Sequence, residues 1–162
     1  SVIARRLLGE SLAITLGASL AVLPLILVGC GEKEASGDEP PAIKLGRDTC
    51  KRCGMIISEE RFASGIVDKN GDAEIFDDPG EMVSALQEDG LNGRQPWVHG
   101  YPSLEWMHAE DATYVVAKGS PTPMGTGVFP FDNATDAAAF ASENDGVVYD
   151  WNELLKNWNL IP

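Results

Sequence analysis

The stretch Asp48–Ile56, DTCKRCGMI, carries two thiols three positions apart and a thioether two positions further on. Thiolate and thioether donors together select soft ions such as Cu(I) over hard cations. Gly54 permits a sharp turn that turns the sulfurs of Cys53 and Met55 toward one point. Other uses of a C-x-x-C pair meet obstacles. Covalent haem attachment needs His at the next position, where Gly54 stands. Structural zinc wants four ligands at close spacing, and His99 and His108 are nine apart. Two alternatives stay open. Lys51 and Arg52 favour thiolate, as thiol–disulfide exchange requires, although no helix clearly begins at Cys53. In an exported chain the pair also fits a plain structural disulfide.

A second methionine points the same way as the first. Met124 lies in SPTPMGTG, between Pro123 and Gly125, and loops of this kind carry function more often than core. Met82 sits on a helical apolar stripe and reads as core; Met107 fits either use. His99 and His108 are auxiliary ligand candidates. Asp77-Asp78 reads as a helix cap first and a site second. The chain shows no glycine-rich phosphate loop, no Ser-His-Asp arrangement and no carboxylate pair on one helix, so it reads as a binding protein, not an enzyme.

These residues need elements to hold them. RFASGIV and AEIFD read as strands joined by Asn70-Gly71, a hairpin signal. In DPGE, Asp78 is the N-cap, Pro79 the first helical residue and Glu81 the partner of a capping box. Met82, Val83, Ala85 and Leu86 form that helix's apolar stripe, and Gly90 ends it. PWVHGY is a third strand. The second half repeats the pattern: ATYVVAKG and VFPF as strands, with Pro130 marking an edge or a bulge. A helix capped by Asn133 or Thr135 follows, then a strand in GVVYDW and a short helix in NELLKNW. Phe76-Asp77 and Phe131-Asp132 align at an offset of 55. The expected class is α+β, two packed ββαβ units over 47–110 and 111–162.

The first 29 residues read as an export signal: Arg5 and Arg6, an apolar run from Leu12 to Val28, then Leu27-Val28-Gly29-Cys30. The ending resembles a lipobox, which makes Cys30 the lipidated residue. The arginine pair fits either the twin-arginine or the general export route. Residues 30–46 are rich in Gly, Glu, Ser, Asp and Pro and read as a flexible tether. The expected place is therefore the outer face of the cytoplasmic membrane, held by lipid. Removing Arg5, Arg6 and Glu10 from 12 basic and 25 acidic residues leaves 10 and 24, a net charge of −14. Such a surface repels nucleic acid.

The CGM of residues 53–55, the Phe-Asp-Asp helix entry, PMGTG and the closing AAAFASENDGVVYDWNEL are similar to the NosL family. The resemblance covers the whole expected folded part. It implies an exported lipoprotein of two ββαβ units that carries Cu(I) to an extracytoplasmic copper enzyme or its assembly complex, such as the nitrous oxide reductase maturation machinery. It also implies Cys53, Met55 and Met124 as ligands, with Cys50 as an added thiol that is a further ligand, a redox gate or a disulfide partner. An exported C-x-x-C oxidoreductase and a disulfide-stapled lipoprotein interaction module are the competing readings.

Overall fold

The computed structural model describes residues 38–161. The expected signal segment, Cys30 and most of the tether lie outside these residues. The elements run β1 (Ser64–Val67), β2 (Ala73–Phe76), α1 (Pro79–Asp89), β3 (Gln95–His99), β4 (Trp106–His108), β5 (Thr113–Val116), β6 (Val128–Phe131), α2 (Ala134–Glu143), β7 (Val147–Tyr149) and α3 (Trp151–Asn157). Two antiparallel sheets result, in the orders β2-β1-β3-β4 and β6-β5-β7. In each, the first strand of a ββαβ run is flanked by the second and third. The α+β architecture and its internal repeat are thus those expected from the sequence.

Local chemistry accounts for most of the element ends. Asp68 accepts the N–H groups of Asn70 and Asp72 at 2.8 and 2.9 Å, closing the β1–β2 hairpin, and Gly71 takes φ 84°. Asp78 caps α1 by accepting the Gly80 N–H, with Pro79 at the first helical position. The expected capping box is not there: Glu81 reaches Arg52 Nε at 3.2 Å instead. A box does form at α3, between Asp150 and Glu153. Asn133, not Thr135, caps α2. Pro130 lies on the edge strand β6, where its carbonyl accepts the Tyr101 N–H at 2.7 Å.

β4 is the addition that the sequence did not announce. It is three residues long and pairs Trp106 with His99 and His108 with Trp97. The two cross-strand pairs stack at 3.7 and 3.8 Å between ring centroids. Ordered packing also begins earlier than the tether reading placed it. Pro41 is buried, and a side chain on Gly65 would meet its ring at 2.6 Å. Ile43 packs on the main core. These two apolar residues find cover that the average composition of the segment conceals.

The main core joins Ile66, Phe76 and Val98 of the first sheet, Met82, Val83 and Leu86 of α1, Tyr114, Val116 and Val128 of the second sheet, and Trp151 and Leu154 of α3. A second cluster packs Val115, Phe129, Phe131 and α2 together with Phe62 from the first unit. Each unit therefore lends side chains to the other, as expected for units too small to bury enough surface alone. Among the described residues no helix is long and apolar enough to cross a membrane.

Candidate metal centre

The C-x-x-C segment is a turn at the tip of a small hairpin. Thr49 bridges Ile56, and the Cys50 N–H donates to the Met55 carbonyl at 2.8 Å. Gly54 makes the reversal with φ 74°, a conformation that favours glycine. The turn is fastened at two more points. The Lys51 N–H donates to the carbonyl of Ile75 on β2 at 2.8 Å. Arg52 forms a two-pronged pair with Glu88 on α1 at 2.7 and 2.8 Å. The two basic residues between the thiols thus serve attachment. No helix starts at Cys53; residues 51–53 are turn.

This attachment sets both thiols against the end of β2. The ligand atoms of Cys50, Cys53 and Asp77 all lie within 4.8 Å of one another. Both cysteines are free thiols. Cys50 is 3 % exposed and its sulfur accepts the Cys53 N–H at 3.5 Å. The Cys53 thiol donates to the Asp77 carboxylate, with Sγ at 3.4 and 3.5 Å from its two oxygens. Burial pushes the Cys53 thiol up to about 12; the Met55 N–H opposes the rise, and Cys50 and Asp77 add to it. Cys53 is accordingly a protonated thiol at neutral pH.

Asp77 is the residue that sequence reasoning undervalued. It is 3 % exposed, and among the described residues the only donor to its carboxylate is the Cys53 thiol, a weak one. A buried carboxylate without a cation or strong donors is costly. A bound cation would relieve that cost, and two adjacent sulfurs suit a soft one. The signal was present in the sequence: one acid suffices to cap α1, and Phe-Asp-Asp-Pro holds two.

Asp78 links the second unit to the same place. Its buried carboxylate accepts the Met124 N–H at 3.0 Å and the Thr122 hydroxyl at 2.7 Å, and also the Thr126 hydroxyl. The Met124 loop is therefore anchored one residue from the carboxylate that faces Cys53. Met55 and Met124 are 51 % and 36 % exposed. Carboxylates accumulate here. Burial raises the pKa of Glu81; Arg52 opposes this, and Asp78 and Asp77 add to it.

The remaining candidates fall elsewhere. Met82 is buried and Met107 packs on the main core. His99 and His108 sit on β3 and β4, on the side of the first sheet away from β2. His99 Nδ1 is 2.9 Å from the Ala63 carbonyl and donates to it. Among the described residues, the one grouping of three or more His, Cys, Asp or Glu ligand atoms is Cys50, Cys53 and Asp77.

Fold and site define an α+β protein of paired ββαβ units with a sulfur-and-carboxylate cluster where the units meet. Residues 42–158 match the NosL family model, and the chain belongs to the NosL family. A similar fold is found in the crystal structure of the copper chaperone NosL from Shewanella denitrificans, with a TM-score of 0.62 and 22 % identity. That likeness covers 71 % of this chain and 96 % of the other. No curated protein matches the sequence.

Proposed function

We propose that this chain is a Cu(I) carrier. Cys53 is the principal ligand, Met55 and Met124 add thioether contacts, and Cys50 and Asp77 complete the environment. The observation that carries the reading is the buried Asp77 carboxylate, which among the described residues has no donor except a thiol and lies within 4.8 Å of two cysteine sulfurs. Copper here is cargo. Exposed thioethers are weak ligands that a partner's donors can replace one at a time, so the ion passes across without being released to water. The recipient is an extracytoplasmic copper enzyme or its assembly complex, and nitrous oxide reductase maturation is the client class that the family name suggests. Anchoring through lipid on Cys30, at the outer face of the cytoplasmic membrane, completes the reading. The family membership supports it, as does the similar fold of a copper chaperone.

The oxidoreductase alternative has less in its favour. Such enzymes place the attacking thiol at a helix start, where its pKa falls; here the pair sits in a turn and the Cys53 pKa rises.

Titration of the reduced full-length chain with Cu(I), in competition with a chromophoric chelator, is the test. The expected stoichiometry is one ion per chain, lost in Cys53→Ser. Unchanged binding in that variant contradicts the assignment, and tighter competition by Zn(II) identifies a different cargo.

A further inference from the structure

We propose that Asp78 is a positioning residue for copper binding, holding the Met124 loop beside the Cys50–Cys53–Asp77 cluster. The inference rests on the reading above that Met124 is a ligand.

A helix cap needs one carboxylate oxygen, and Asp78 uses both. Oδ1 accepts the Gly80 N–H, which is the cap itself, at 2.8 Å, and the Thr126 hydroxyl. Oδ2 accepts the Thr122 hydroxyl and the Met124 N–H. The Thr122 hydroxyl in turn accepts the Gly127 N–H at 3.1 Å. Residues 122–127 are thus gathered around a single carboxylate that is fully buried. Two glycines make the approach possible. A side chain on Gly80 would collide with that of Thr126. One on Gly127, at φ 71°, would stand 2.8 Å from the Ala117 carbonyl.

The internal repeat supplies a control. At the offset of 55, Asp78 corresponds to Asn133. Asn133 is exposed; among the described residues its side-chain oxygen accepts only the Asp136 N–H of its own helix, and it gathers no loop. The additional bonds of Asp78 are therefore not part of starting a helix in this fold. They join the segment just after β2, which carries Asp77, to the loop that carries Met124. Residues that orient metal ligands without touching the ion commonly change affinity by roughly 10- to 100-fold when altered.

The test is a double-mutant cycle on the full-length reduced chain, read as Cu(I) affinity by chelator competition. Its members are Met124→Leu, Asp78→Asn and the double variant. Asn remains a good N-cap, so α1 persists, which circular dichroism checks; the Oδ2 acceptor facing Met124 is lost. The expected result is a loss of roughly 10-fold in each single variant and no further loss in the double. Amide hydrogen exchange at Met124 should also accelerate in Asp78→Asn. Where that variant does not fold, Thr122→Val takes its place in the same cycle, with the cap untouched. If Met124→Leu weakens binding while the Asp78 or Thr122 variant leaves it unchanged, or the losses multiply, the positioning role is overturned and the ligand reading stands. If Met124→Leu binds as tightly as the parent chain, the ligand reading fails and the positioning role falls with it.

Discussion

Asp77 and Asp78 are neighbours with opposite duties. Asp78 is saturated with donors, and Asp77 faces a thiol. Removing Asp77 therefore takes away a buried carboxylate that only a weak thiol donor serves in the metal-free protein, a costly arrangement, while it weakens the site. Asp77→Ala is expected to keep or raise the melting temperature of the metal-free form and to lose part of the stabilisation that Cu(I) confers. A tenfold weaker affinity corresponds to about 1.4 kcal/mol of that stabilisation. Thermal melts with and without Cu(I) check both signs together. The raised pKa of Cys53 gives a second expectation. Its proton must leave when metal binds, so apparent affinity should rise at least roughly tenfold per pH unit between pH 6 and 8. In the metal-free form, iodoacetamide should modify Cys53 more slowly at pH 7.5 than an ordinary exposed thiol. A flat affinity profile or a fast thiol contradicts this reading. At this scale the sulfurs were legible because soft donors are rare and were crowded. Asp77 was not, because acids before a helix have an ordinary explanation and burial cannot be read from one residue.

The elements follow a similar division. α1 and α2 were legible because their caps and apolar stripes are local: Asp78 before Pro79 and Asn133 before the alanines. α3 was expected only from NELLKNW; Asp150 and Trp151, read as the end of a strand, are instead its cap and first residue. What local pattern could not supply was the competition for Glu81, which Arg52 draws away from the expected capping box, and the strand β4. That strand is three residues long and depends on Trp and His rings from its neighbour. The same ribbon carries a pH dependence. Burial lowers the pKa of His99, with the Ala63 carbonyl, Glu60 and Glu105 opposing. The unfolded chain takes up a proton near the usual pKa of about 6.5, and the folded chain does so only at lower pH. The stability that neutral His99 contributes is thus present above pH 6.5 and is lost as pH falls. The melting temperature should decline between pH 7 and 5.5, with a shallower slope in His99→Gln. Equal slopes would show that other groups set the acid response.

At the scale of the whole molecule, the repeat explains why two small units make one body. Phe62 belongs to the first unit by sequence yet is buried in the cluster of the second, 5.8 Å from the Phe129 ring centroid. Phe62→Ala should cost about 3 kcal/mol or more and should leave a single cooperative transition in denaturant. Two separated transitions would mean that the units fold independently. The pattern of two ββαβ runs was legible in the sequence through the offset of 55 between the Phe-Asp entries. The site was not, because it depends on long-range bonds from Cys53 to Asp77, 24 residues apart within the first unit, and from Met124 to Asp78, 46 apart and between the units. The central claim is that the cysteine turn and the methionine loop serve one Cu(I). It is tested most directly by selenium-edge X-ray absorption of the selenomethionine-labelled, Cu(I)-loaded chain, compared with the same sample of Met124→Leu. The account predicts a copper neighbour at selenium whose amplitude falls in Met124→Leu. An identical copper signal in both samples, or none in either, would contradict it.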